Sequence, residues 1–322
     1  MTNKLVGNPK TKKQHFIPQF FLKGFTAGND NLYYAQRFSG KPLVVRKSTP
    51  KGICFEKCLY EVKDSVGESL FPNAIEDIFS KMEDKLKKTL DDTVEDIYNL
   101  SRDSKSSSSQ TPVIIVDNLA FMLAFLFCRH PKEIEKTRRN CMIILALLKS
   151  EGIGTPESLE TAFRRDMNCE AEIPAPVFNP ELISEFMAMF MDPLPMSVDG
   201  GESFLNNKLK RATDYLGSCS AIVMVAPKNS SFIGFDLPTC IEVNGICHLI
   251  WSVNSRIAVC FRDDKRQVYK IITITESEVD FQNSLGLASQ WWSIAFCQDG
   301  KLLQKMIYLQ KGKVDTDAPA LT

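Results

Sequence analysis

A chain of 322 residues, 44% apolar and 24% charged, is long enough to bury its own core, which excludes a small scaffold held by disulfides or metals. Its 39 basic and 39 acidic residues cancel, which excludes a global field that would draw it to nucleic acid or an anionic membrane. The length allows two domains, or one domain carrying a large helical insertion.

The first sixty residues are basic. They hold eleven Lys/Arg against Asp30 and Glu56, whereas residues 61–100 hold eleven acids against five Lys. Such segregation marks either a basic binding face or two segments that neutralise each other in the fold. Leu32 to Ala35 and Leu43 to Val45, joined around Ser39-Gly40-Lys41-Pro42, predict a β-hairpin. The opening Met1-Thr2-Asn3-Lys4 is followed by no apolar stretch, so a secretory leader is not expected. The ten cysteines show no zinc-ligand spacing, the closest pairs being Cys54/Cys58 and Cys240/Cys247, and are read as reduced thiols of a cytoplasmic protein.

A long helix follows. Asn73-Ala74-Ile75-Glu76 is a capping-box pattern, and apolar residues from Ile75 to Ile97 recur at helical spacing. The Ser-rich segment 101–112 predicts a flexible loop. Val113 to Arg129 is apolar nearly all round and predicts a central buried helix, too short and too interrupted for a membrane span. Pro131 starts the next helix, Lys132 to Lys149, and further helices are expected near 156–168, 180–191 and 202–216. From Gly217 the pattern changes. Ala221–Ala226, Ser231–Phe235, His248–Val253, Arg256–Phe261 and Val268–Thr275 predict strands, with a tight turn at Asn254-Ser255. Thr275-Glu276-Ser277-Glu278 opens a helix expected to reach about Cys297. The fold class is therefore α+β: a basic N-terminal hairpin segment (1–62), a central helical bundle (63–217) and a C-terminal antiparallel sheet with a closing helix (218–322).

Few residues offer chemistry. Of three histidines, His15 lies in the apolar run His15 to Phe25, beside Lys12, Lys13 and Lys23. It reads as a general base, a phosphate contact or a hydrogen-bonded core residue. His130, between Arg129 and Pro131, reads as a cap, and His248 as a strand residue. Arg129 ends an apolar helix, so its guanidinium must find an anion, either a phosphate or a carboxylate of a neighbouring helix. Asp236 follows a strand, where a catalytic acid or a turn-forming aspartate both fit. Glu76 and Glu83 are seven residues apart on one helix face, a spacing compatible with a divalent cation such as Mg²⁺ or with a solvated acidic face. Phosphate-loop, dinucleotide-fold, nucleophile-elbow and His-Glu-x-x-His motifs are absent from the sequence.

The block His15-Phe16-Ile17-Pro18-Gln19-Phe20-Phe21-Leu22-Lys23-Gly24-Phe25 resembles the opening signature of the bacterial domain-of-unknown-function 4238 (DUF4238) family. The Glu76…Glu83 helix, Arg129-x-Pro131 and Phe235-Asp236-Leu237-Pro238 resemble its later blocks in order. This chain departs from the family pattern at His130, where Thr is usual, and at Phe235, where Ser is usual. The resemblance implies an association with mobile elements and phage defence, hence a toxin-type effector acting on nucleic acid. In a nuclease of that kind, His15, Asp236 and Glu83 would be catalytic, with Arg129, Lys12, Lys13 and Lys23 holding phosphate. The alternatives are a non-enzymatic sensor or partner-binding module, and a small-molecule enzyme.

Overall fold

In a computed structural model, residues 6–7, 12–28, 30–63, 69–70, 72–103, 109–110, 112–136, 139 and 204–316 are described. The strands in chain order are β1 (Val6–Gly7), β2 (Lys13–His15), β3 (Leu32–Gln36), β4 (Val45–Ser48), β5 (Phe55–Lys57), β6 (Val62–Lys63), β7 (Ser69–Leu70) and β8 (Ser109–Gln110). They continue with β9 (Ser220–Val225), β10 (Gly234–Phe235), β11 (Thr239–Val243), β12 (Ile246–Ser252), β13 (Ile257–Arg262), β14 (Tyr269–Thr273) and β15 (Ile294–Cys297). The described helices are α1 (Gln19–Lys23), α2 (Ala74–Asp103), α3 (Val113–Cys128), α4 (Phe204–Ser218), α5 (Glu276–Ala288) and α6 (Gly300–Thr316). The protein is α+β. The helices expected near 156–168 and 180–191, and most of that expected over 132–149, lie outside the described residues.

The chain divides into two compact units that interleave in sequence. The first comprises residues 1–16, 55–83 and 124–212, and the second 17–54, 84–123 and 213–322. In the first unit, β2 pairs antiparallel with β5, placing Gln14 opposite Glu56 and His15 opposite Phe55, while β7 lies between β1 and β6. Here the start of α2 and the end of α3 contribute Phe79 and Phe125, whose rings meet edge to face at 5.7 Å.

The second unit holds two sheets. One has the order β11-β12-β13-β9-β14-β8 and is antiparallel except where β14 runs parallel to β9. Ile222, Met224, Ala258 and Cys260 alternate onto one face and pack with Val279 of α5. The other sheet, β10-β15-β3-β4, buries Ala35, Ala295 and Cys297 against Leu303, Met306 and Ile307 of α6. Leu86, Leu90 and Ile97 are buried at the spacing that predicted α2, and Asn118 of α3 donates to the Thr93 hydroxyl at 3.0 Å.

Several elements differ from the sequence expectation, the second hairpin strand among them, which is Val45–Ser48 and not Leu43 to Val45. The capping box at Thr275 forms, with Glu278 N–H donating to the threonine hydroxyl, but its helix stops at Ala288 and not near Cys297. Ile294–Cys297 is instead strand β15, with four consecutive residues buried between two neighbouring strands as in a sheet interior. Segment 101–112 is not wholly loop: α2 runs through Asp103, and Ser109–Gln110 pairs with β14. Strand β11 carries no apolar alternation strong enough to predict it. Its turn signal, Asn244-Gly245 with both φ positive (52° and 75°), is that of a two-residue hairpin.

Gly234 lies directly opposite Phe296 in the sheet, and a Cβ there would fall 2.2 Å from the Phe296 ring and 2.9 Å from Phe25. Both rings are fully buried and cannot swing away. Gly234→Ala is expected to cost about 1–3 kcal/mol, read as a lower midpoint in chemical denaturation. An unchanged midpoint would refute this packing.

Candidate functional site

The first unit centres on one buried cation. The apolar helix α3 ends at Cys128, and Arg129 follows with its side chain at 0% exposure. A guanidinium so far from water is tolerable only if each donor finds an acceptor. Its Nε donates to the Tyr60 hydroxyl at 3.2 Å, one terminal nitrogen to the Glu83 carboxylate at 2.5 Å, and the other to the His15 carbonyl oxygen. The rings of Phe79, Phe125 and Tyr60 stand 4.5, 5.0 and 5.7 Å from its central carbon, adding cation–π attraction. Burial works to remove the Arg129 proton, but Tyr60 and Glu83 outweigh it and hold the pKa above the ordinary arginine range.

Around this cation lies a second polar layer. Tyr60 donates its hydroxyl to the Arg129 carbonyl at 3.1 Å, and burial pushes its phenol up to about 12 despite the nearby charge. Gln14, fully buried, donates to Glu61 at 2.7 Å and accepts the Tyr60 backbone N–H at 2.7 Å. Glu61 also accepts the Asn73 N–H at 3.1 Å, which ties strand β2 to the start of α2. Glu76 sits in the same unit with its pKa pushed up to about 7, first by burial and then, against the pull of Arg129, by Glu83, Asp77 and Glu61. Its Oε2 is buried and accepts no hydrogen bond within the described structure.

Of the residues singled out from the sequence, Arg129, Glu83 and the backbone of His15 come together. The His15 imidazole packs beside an aromatic neighbour. It lies 5.5 Å from the Phe55 ring, whose centroid is also 4.6 Å from the Lys13 ammonium. Lys12 and Lys13 are exposed on and beside β2. His130 is buried, its ring edge to face with Phe16 at 5.1 Å and its Nδ1 accepting from Lys132 N–H, so it caps the helix that Pro131 opens. Sequence reasoning missed Gln14, Tyr60 and Glu61. Gln14 was legible in principle: in a two-faced strand, flanking Lys13 and His15 point away from whatever residue 14 faces.

Lys23 and Asp236 belong to the second unit. Lys23 is exposed in the last turn of α1. Asp236 is 3% exposed, and its Oδ1 accepts the Ser293 N–H at 2.8 Å. Nearby, the Arg37 guanidinium lies 3.7 Å from the Trp292 ring and donates to the carbonyls of Ser289 and Leu287 at 2.6 and 2.8 Å, capping α5. Burial lowers the Arg37 pKa and Asp236 opposes that fall. The Cys54 thiol is raised well above the ordinary range by burial and further by Asp236, which makes it unreactive. Among the described residues no group of three or more His, Cys, Asp or Glu is placed to hold a metal ion, and no helix is long and apolar enough to cross a membrane.

Residues 13–284 match the family described as "Protein of unknown function (DUF4238)", and the chain belongs to that family. No curated protein and no solved structure matches it.

The raised carboxyl of Glu76 sets a direction for pH dependence. Between the ordinary carboxyl pKa of 4.5 and about 7, the folded state keeps a proton that the unfolded chain has lost. Stability contributed here therefore falls as pH rises through that window and is flat above it. Melting temperatures of the wild type and Glu76→Gln should converge near pH 5 and separate by pH 8, with the variant higher. Parallel curves would refute the burial of this acid.

Proposed function

We propose that this chain is a recognition protein that binds a partner without cleaving it, and that its N-terminal signature and Arg129 form a structural lock. The supporting observation is the complete enclosure of the Arg129 guanidinium. Three of its five N–H donors are engaged by Tyr60, Glu83 and the His15 carbonyl, and with its side chain at 0% exposure none is presented to a phosphate. A phosphate-holding arginine in a nuclease needs a donor face open to the substrate. Glu83, as the partner of Arg129, is likewise committed, and the His15 ring packs on Phe55. The chemistry of the block is that of a clamp.

A lock and a catalytic centre respond differently to mutation. Removing the Arg129 side chain leaves the Glu83 carboxylate without its partner and takes one donor from the Tyr60 hydroxyl, at a cost of about 3–5 kcal/mol. Arg129→Ala should lower the melting temperature by roughly 5–15 °C, whereas His15→Ala, which trims a half-buried ring and keeps the carbonyl that Arg129 uses, should lower it by much less. Purified wild-type protein incubated with labelled RNA and DNA, with and without Mg²⁺, should leave both uncut. Mg²⁺-dependent cleavage that disappears in His15→Ala without a change in melting would sink the proposal and restore the effector nuclease.

A further inference from the structure

We propose that the exposed face of the β3–β4 hairpin binds single-stranded nucleic acid, which rests on the recognition reading above and names its partner. The sequence around this hairpin is unusual in charge: residues 31–55 contain Arg37, Lys41, Arg46, Lys47 and Lys51 and no acid. One of these, Arg37, is used internally to cap α5. Lys41, Arg46 and Lys47 are exposed.

The two faces of the hairpin have different tasks. Ala35 and Val45 face α6 and join the core. On the opposite face Tyr34 and Arg46 form a cross-strand pair, and beyond them the chain between the strands lifts Phe38 (49% exposed) and Val44 (52% exposed) into solvent. Together with Gln36 and Lys41 these residues line a shallow groove of about 160 Å³. The Lys41 ammonium stands 5.8 Å from the Phe38 ring. An exposed ring beside exposed cations suits a ligand that brings flat π-faces and negative charge at once. An unpaired nucleotide does both: its base stacks on Phe38 or Tyr34 while its phosphates meet Lys41 and Arg46.

Other occupants fit less well. A peptide added as a strand along the free edge of β4 would pair with its backbone and leave Phe38 and Lys41, which lie past the last paired residues, without contact. A nucleic-acid duplex hides the base faces that the exposed ring would meet. A second copy of the chain would bring an equally basic hairpin against this one in a two-fold contact, and like charges would oppose it.

The test uses the full-length protein and fluorescein-labelled RNA and DNA strands of about 12 nucleotides, read by anisotropy at low salt. Wild type should bind either strand type. Phe38→Ala should weaken binding by about 5- to 150-fold, the range measured when a stacking ring is removed. Arg46→Gln should weaken it less and reduce the slope of log affinity against log salt by about 0.7. Both side chains are exposed, so melting temperatures should match wild type. Absence of binding by wild type, affinity unchanged in Phe38→Ala, or equal affinity for the matching duplex would each overturn the proposal. So would concentration-dependent dimerisation that Phe38→Ala abolishes, since it would make the face a self-contact. Electrophoresis of the same samples separates the two readings: a cut strand defeats the recognition proposal, whereas an uncut strand that the hairpin variants bind normally defeats this one alone.

Discussion

The first unit depends on the burial of one positive charge. Taking a guanidinium out of water costs several kcal/mol unless its donors are satisfied, and the neighbours of Arg129 are arranged to do that. Glu83 comes from α2, Tyr60 from the chain after β5, and the carbonyl oxygen from His15 at the end of β2. Segments far apart in sequence are thereby held to the end of α3 by a single side chain. Leu, whose side chain packs without donors, could fill the space but could not specify this arrangement, because apolar contacts have no direction.

The signature block owes its composition to the same requirement. Gln14 bridges Glu61 and the Tyr60 backbone, and Phe16 packs on His130, so polar and apolar members both close the first unit. In the second unit a parallel solution appears. Arg37 stacks on Trp292 and caps the carbonyl end of α5, and Asp236 accepts the Ser293 N–H that follows. In each unit a carboxylate that looked catalytic in the sequence is bonded internally, Glu83 to Arg129 and Asp236 to a backbone N–H. The exposed cations of the hairpin, by contrast, direct their interaction capacity at solvent.

Enzymatic and recognition readings differ in what they ask of a buried arginine. A catalytic arginine holds at least one donor in reserve for the transition state. Arg129 is enclosed by three aromatic rings, which lower the local polarity and strengthen each of its bonds. The raised carboxyl of Glu76 is a by-product of this dry interior, since the pull of Arg129, already matched by Glu83, does not outweigh burial.

Local pattern determined much of this protein. Helical spacing set α2, the all-apolar run set α3, and turn residues between β-branched runs set most of the second unit's sheet, because each depends on neighbours within a few residues. The need of Arg129 for an anion was also legible, since a cation ending an apolar helix must be neutralised. Which anion it meets was not, because Glu83 lies 46 residues away and nothing in either segment names the other. The same holds for Gln14 with Glu61, for strand β15, and for the division of labour between Arg37 and Arg46. Those pairings are set by how distant segments pack, and long-range packing leaves no local period in the chain to read.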